Sequence, residues 1–310
     1  MTIASTTLGI DISQGALDVY VHPQGRYRRF ANKEKGIAEI VELALELGSF
    51  VVLEATSPMD RALLKALGEA GVVHHRSNPR MAREFARSLG LLAKTDKVDA
   101  RMLALYGASV ELRPTLPVSE QRLYLQDLVA RRDQLVEMRK QEKTRLKALP
   151  SPRLIQSLEA MIACLSAQIQ AIEAEISAAV AQDRELARQA ELLRSAPGIG
   201  AVTAGVLLAN LPELGQVHRR AIASLVGLAP IACDSGKLRG RRRIWGGRKR
   251  VRDALYMAAL TASRSALYRG GYQAMRAAGK PAKLALIAVA RKLLVALNAT
   301  MRDQVRFKSA

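Results

Sequence analysis

Four carboxylates stand where they could act together: Asp11 in Leu-Gly-Ile-Asp-Ile-Ser, Glu54 in Val-Val-Leu-Glu-Ala-Thr, and Asp96 with Asp99 in Lys-Thr-Asp-Lys-Val-Asp-Ala. The first two close short β-branched apolar runs, where a side chain on a buried strand emerges into a cleft. The second pair, spaced i, i+3 at the start of a helix, shares one helix face. Acids gathered in this way repel one another by about 4 kcal/mol per close pair at intermediate dielectric. Cations must offset that repulsion, so the pattern reads as magnesium and phosphate chemistry: two Mg2+ about 3.5–4 Å apart that activate an attacking oxygen and stabilise a leaving one. The competing structural role for Asp96 and Asp99 is helix capping, for which Thr95-Asp96 is suited.

The elements that must position these acids follow from hydrophobic periodicity. Strands are expected at Thr6–Ile12, Leu17–His22 and Tyr27–Ala31, with turns at Gly15 and Pro23-Gln24-Gly25. A helix over Lys33–Leu47, a strand Phe50–Glu54, a helix Asp60–Ala70 and a strand Val72–Arg76 lead to a helix that holds Asp99. Three antiparallel strands followed by alternating helix and strand is the order of an RNase H-like α/β domain. Pro114 and Pro117, within Leu112–Val118, mark a domain boundary. Residues 119–190 are helix formers, broken once at Pro150-Ser151-Pro152. Leu158, Ile162, Leu165, Ile169, Ile172 and Ile176 step by 4, 3, 4, 3, 4, an a/d seam on the second arm of a helical hairpin. Whether that seam packs within the chain or between chains is open at this point, and self-association is expected.

Charge separates the chain into two regions. Of a net charge of +20, +17 lies in residues 191–310, which hold 22 Lys/Arg against 5 Asp/Glu. A basic region joined to a near-neutral one points to a polyanion, with nucleic acid ahead of a membrane surface. Cys164 and Cys233 supply neither a disulfide framework nor a CxxC metal spacing, in keeping with a reducing cytosol. No signal-like N-terminus and no apolar run of 18 residues is read, so no membrane is expected.

Two segments of the basic region carry further chemistry. Pro197-Gly198-Ile199-Gly200 reads as the turn of a helix-hairpin-helix, whose Gly198 and Gly200 let backbone N–H groups approach a phosphate; a plain helical turn is the alternative. Between Lys237 and Arg252 lie nine basic residues and no acid: Lys237, Arg239, Arg241, Arg242, Arg243, Arg248, Lys249, Arg250 and Arg252. Glycines interleave with them, which suits a backbone wrapped on phosphates. Just ahead of the run, Ser235 sits in Asp-Ser-Gly, either a turn residue or a nucleophile. The four histidines (His22, His74, His75, His218) form no triad pattern, so activation of Ser235 would fall to arginines and a metal.

With these residues in place the chain resembles the DEDD transposases of insertion sequences, the bridge-RNA-guided serine recombinases related to Piv-type DNA invertases. The resemblance rests on the joint order of Gly-Ile-Asp-Ile-Ser (9–13), Leu-Asp-Val (17–19), Glu-Ala-Thr (54–56), Lys-Thr-Asp-Lys-Val-Asp-Ala (94–100), Pro-Gly-Ile-Gly (197–200), Gly-Leu-Ala-Pro (227–230), Asp-Ser-Gly (234–236) and the Arg-rich stretch to Tyr256-Met257. It implies a RuvC-like catalytic domain over 1–115, a coiled-coil hairpin over 116–190 and a helical C-terminal transposase domain over 191–310. It also implies that Asp11, Glu54, Asp96 and Asp99 match the metal ligands and Ser235 the nucleophile. Its further implications are a tetramer (a dimer of dimers) on a structured guide RNA that pairs with donor and target DNA, strand exchange through a phosphoserine link, and action at the nucleoid of a prokaryotic cytoplasm. Ser57 and Met59 depart from the glycine and aromatic common after Glu-Ala-Thr. Three other readings compete: a RuvC-like resolvase with water as nucleophile, an actin-like sugar kinase opening on Gly-Ile-Asp-Ile-Ser, and an architectural nucleic-acid binder with an inert acid quartet.

Overall fold

The structure, a computed structural model, describes residues 6–55, 58–90, 95–116, 118–148, 151–236, 240 and 242–307. It divides into two compact units, Met1–Pro117 and Val118–Ala310.

In the first unit three antiparallel strands, β1 (Thr7–Ile12), β2 (Ala16–His22) and β3 (Arg26–Ala31), are followed by α1 (Glu34–Glu46), β4 (Phe50–Glu54), α2 (Arg61–Glu69), β5 (His74–Ser77), α3 (Pro79–Ser88) and α4 (Asp96–Ser109). The five strands form one sheet in the order β3-β2-β1-β4-β5, with β4 and β5 parallel to β1 and to each other. This is the expected sequence of elements, with two differences. The last strand starts at His74 because Gly71, at φ +69°, ends α2 and the Val72 N–H still bonds back to the Leu67 carbonyl. A separate helix, α3, capped by the Asn78 side chain with Pro79 in its first turn, precedes the one that holds the acids.

The two sheet faces differ in chemistry. Leu8, Ile10 and Ile12 alternate with the acid-bearing positions of β1 and join Leu17, Val19, Val21, Ile40 and Leu63 in the core under α1 and α2. The opposite face receives α4. A Cβ on Gly9 would stand 2.1 Å from the Ala100 carbonyl oxygen and 2.2 Å from the Ala104 nitrogen, so α4 lies backbone to backbone on β1. Further along α4, Gly107 permits the same close fit against Val52 and Thr7.

The second unit is helical apart from a short ribbon: α5 (Glu120–Ala148), α6 (Pro152–Gln182), α7 (Arg184–Arg194), α8 (Ala201–Asn210), α9 (Arg219–Val226), β6 (Pro230–Ile231), β7 (Arg243–Ile244), α10 (Lys249–Ala262), α11 (Ala266–Ala277) and α12 (Ala282–Asp303). The chain is thus mixed α/β and mostly helical. The heptad stripe of α6 faces α5 of the same chain. Leu165 and Ile169 close on Leu135, Ile176 joins the main core with Leu125 and Leu128, and Arg132 ties the arms at 2.6 Å to Glu173. Towards the tip the stripe opens, with Leu158 and Ile162 half-buried and Leu154 and Met161 exposed.

Two described helices, α6 and α12, are long and apolar enough by length and composition to cross a membrane. That corrects the expectation that no such run exists. In α12 the apolar residues, Leu293, Leu294 and Leu297 among them, are core, and buried Asn298 both accepts from Gly215 N–H and donates to the Val217 carbonyl.

The seat of α4 is open to test. Gly9→Ala is expected to lower the unfolding free energy by at least about 2 kcal/mol, because the added methyl meets backbone that cannot rotate away. Gly68→Ala, in a helical position with nothing within 4 Å, is expected to be neutral or stabilising. Urea denaturation midpoints of the two variants check both signs.

Candidate active site

The register of the sheet brings the acids together. Asp11 pairs across the ladder with Asp18, Asp18 with Arg29, and Glu54 with Ser77. One residue beyond the Ile10↔Leu53 pair, Asp11 and Glu54 lie side by side on the α4 face. Arg29, Asp18, Asp11, Glu54 and Ser77 therefore make one polar row across five strands. Above it, the first turn of α4 supplies Asp96 and Asp99, with Thr95 capping the helix by accepting from Val98 N–H at 3.3 Å. Capping and site-building are separable here, since Thr95 caps the helix without using either carboxylate.

The electrostatics of the row reflect this convergence. Burial, with the negative fields of Asp99, Asp96 and Glu54, pushes the Asp11 carboxyl up to about 6, and only the hydrogen bond from the Ile12 N–H opposes it. Arginines occupy the rim, with Arg29 Nη1 3.7 Å from Asp96 and 3.6 Å from Asp18, and Arg83 Nη1 4.0 Å from Asp99. Among the described residues no three ligand side chains close into a ready-made cation cage. The donors nonetheless suit a hard divalent ion. They are all carboxylate oxygens, burial and acidic neighbours hold a proton on Asp11 up to about pH 6, and Asp96, 54% exposed, is drawn towards Arg29 and has room to turn.

Ser235 belongs to the second unit. It lies on the exposed loop between β6 and β7, which pair Pro230 with Ile244 and Ile231 with Arg243. The loop is closed by Asp234, which accepts from Gly240 N–H at 3.0 Å, and a Cβ on Gly240 would stand 2.0 Å from the Cys233 carbonyl oxygen. Its root is a crossing of Gly227 (φ +77°) and Gly247 (φ +69°), where an added Cβ on either would strike the other strand of the crossing. Gly227 ends α9 in the left-handed conformation that only glycine adopts without strain.

The basic run divides in two. Arg248 forks onto Glu213 with both contacts at 2.6 Å and also donates to the Asn210 carbonyl, while Arg252 donates to the Val226 and Gly246 carbonyls. Arg250 pairs with Asp133 at 2.6 Å and Lys249 with Asp253. Arg242 and Arg243 are exposed on the ribbon side. Lys237, Arg239 and Arg241 lie outside the described residues, as do Lys94 and Ser57. In the Pro-Gly-Ile-Gly turn between α7 and α8, Gly198 (φ +84°) is pressed on α10, its Cβ position 2.4 Å from the Ala258 carbonyl. Gly200, by contrast, is open and exposed at the N-terminus of α8.

Sequence reasoning gave no role to Asp18, quoted only within Leu-Asp-Val (17–19), and passed over Arg29. The signal was present: with a turn at Ser13–Gly15, residues 11 and 18 fall opposite each other, and Asp18 is a charge inside an otherwise apolar strand.

Residues 8–149 match the model of the DEDD transposases of the IS110 type, and residues 190–276 that of the transposase IS116/IS110/IS902 family. The pilin gene-inverting proteins of Moraxella lacunata and Moraxella bovis are 30% and 29% identical to the chain over 98% of both lengths. A 43.6 kDa protein of the insertion element IS110 from Streptomyces coelicolor is 30% identical over 50% of this chain and 38% of its own. T. thermophilus RuvC in complex with a Holliday junction substrate overlaps 36% of the chain and 99% of its own at TM-score 0.28 and 16% identity, too distant to add to the sheet topology. The fold defines the class first: a five-stranded α/β domain joined to a helical unit. Within that class, the chain belongs to the IS110 family of DEDD transposases and is a DNA transposase/recombinase.

Three variants test these assignments. A carboxyl raised in the folded state favours folding below its unfolded value and loses that contribution as pH rises from about 4 through about 6. Asp11→Asn is therefore expected to melt higher than the parent at pH 7.5 without divalent ions, the gap closing towards pH 4, with Mg2+ raising the melting temperature of the parent alone. Arg248→Ala is expected to cost about 2–3 kcal/mol of stability through the stranded Glu213. Arg243→Ala is expected to leave stability unchanged and to lower the salt dependence of nucleic-acid binding by about one counterion.

Proposed function

We propose that the protein exchanges DNA strands by transesterification through Ser235, with divalent metal held by Asp11, Glu54, Asp96 and Asp99 and with partner DNA chosen by a bound guide RNA. The acid row carries this reading, because four converging carboxylates on rigid elements make sense as a cation site. Magnesium, two ions to a site, would supply Lewis-acid stabilisation of phosphate charge.

The chain's own residues account for the other steps. Asp11 and Glu54, fixed by sheet register, and Asp96 and Asp99, fixed by the seat of α4 on Gly9, set where the scissile phosphate lies. Ser235 Oγ attacks phosphorus, one sugar oxygen leaves as a hydroxyl, and the strand is held as a phosphoserine diester; attack by the hydroxyl of another strand reverses the bond and frees the serine. The exposed, glycine-rooted loop suits a nucleophile that must reach a strand. Arg242 and Arg243, with Lys237, Arg239 and Arg241, supply backbone contacts, and Arg248 and Arg252 act by bracing the loop root. Gly200, at the open N-terminus of α8 in a helix-hairpin-helix, adds a sequence-independent phosphate contact. Guide RNA, a tetramer, a coiled-coil hairpin, the RuvC-like nature of the first domain and a cytoplasmic site of action follow from the likeness to bridge-RNA-guided recombinases. Those recombinases leave sequence choice to base pairing.

Denaturing gels of the protein incubated with Mg2+, its copurified RNA and labelled DNA give the test. A DNA-linked protein band is expected for the parent and none for Ser235→Ala, with Asp11→Asn also losing it. Strand cleavage that persists in Ser235→Ala without any linked band would put water in place of the serine, the resolvase chemistry.

A further inference from the structure

Asp18, to which the sequence motifs assign no role, has none in the chemistry above either. Its side chain is 1% exposed, with Oδ1 accepting from the Tyr27 hydroxyl and facing Arg29 at 3.6 Å, while Oδ2 is buried with no hydrogen-bond partner among the described residues. An orphaned buried carboxylate oxygen is costly, by about 1–3 kcal/mol or more for a charged group. Such an atom calls for a partner, from an ion, water or a second arrangement of the side chains around it. The group within reach is the guanidinium of Arg29, which in this state engages Asp18 through one oxygen and spends its remaining reach on Asp96 at 3.7 Å. Asp18 and Arg29 are cross-strand partners on β2 and β3, so the guanidinium has two carboxylates to choose between, one on the sheet and one on α4.

We propose that Arg29 is the resident counter-cation of the metal site: without metal it holds Asp96, and when a divalent ion takes Asp96 it folds back onto Asp18 as a two-pronged pair that engages the orphaned Oδ2. The inference rests on the reading of the four acids as a cation site and adds a gate to it. Planar guanidinium nitrogens match both oxygens of one carboxylate, a fit that the point charge of a lysine lacks. Arg29, 56% exposed, has freedom to swing, and Tyr27 holds Asp18 in place while it does. The device keeps Asp96 from repelling Asp11 in the empty site and yields it to an ion of higher charge. Asp18 is thus a positioning residue that acts through Arg29.

Mn2+ titration of the full-length protein, followed by the loss of the free-ion electron paramagnetic resonance signal, reads the gate without any turnover. Arg29→Gln is expected to bind Mn2+ about three- to tenfold more tightly than the parent, because a competing charge is gone. Arg29→Lys, which keeps the competing charge but loses the two-pronged fit to Asp18, is expected to bind Mn2+ about threefold or more weakly than the parent, and binding as tight as that of Arg29→Gln would count against the gate. Asp18→Asn is expected to weaken Mn2+ binding in the parent and to do so much less in the Arg29→Gln background, since its effect passes through the arginine. Unchanged or weaker binding in Arg29→Gln overturns the gate, and an equal effect of Asp18→Asn in both backgrounds overturns the fold-back onto Asp18. Parent binding that Asp11→Asn fails to remove overturns the cation site itself, so the two failures are distinct.

Discussion

The structure of the first unit depends on one close approach, the backbone of α4 against Gly9 of β1. A side chain at position 9 would hold the helix off by the thickness of a methyl or more, and Asp96 and Asp99 would rise away from Asp11 and Glu54 with it. Everything that makes Asp11 unusual follows from that seat. Its carboxyl is buried because the helix covers it, and it is raised because the helix brings two of its three acidic neighbours. The acids are brought together by the same contact that closes the hydrophobic layer, so packing and the acid cluster share a residue that carries neither charge nor side chain.

Sheet register does the rest. The α4 face of β1 reads Thr7, Gly9, Asp11, and the alternate positions Leu8, Ile10 and Ile12 fill the other core. A slip by one residue would bury the acids among leucines, at a cost no nearby group could offset. Apolar alternation therefore serves as the addressing system for charge, and it places Asp18 and Arg29 in the row as surely as it places Asp11.

Much of this was legible in the sequence, and the reason is physical. The succession of strands and helices along the chain, the two acids at strand ends and the two at a helix start are local statements, encoded in periodicity and capping residues such as Thr95. Tertiary relations were not legible. That Asp18 stands opposite Asp11 required the register, and that Gly198 serves α10 while Gly200 remains open required knowing what packs beside the turn. The basic run shows the limit best. Nine like charges in sequence read as one surface, yet Arg248 and Arg252 turn inward onto Glu213 and backbone carbonyls, because the glycine crossing at the loop root leaves acceptors that need donors.

That division of labour among arginines has a counterpart in the first unit. Arg29 and Arg83 stand on Asp96 and Asp99, as Arg248 stands on Glu213, but with a different consequence. Arg248 makes two short contacts to one carboxylate and one to a carbonyl, which leaves it no alternative position. Arg29 makes two long ones to two carboxylates on different elements, the geometry of a group between states. The strength of a pair and its capacity to be exchanged run in opposite directions. Arginine thus braces the root of the Ser235 loop in one unit and, in the other, stands between two carboxylates on different elements.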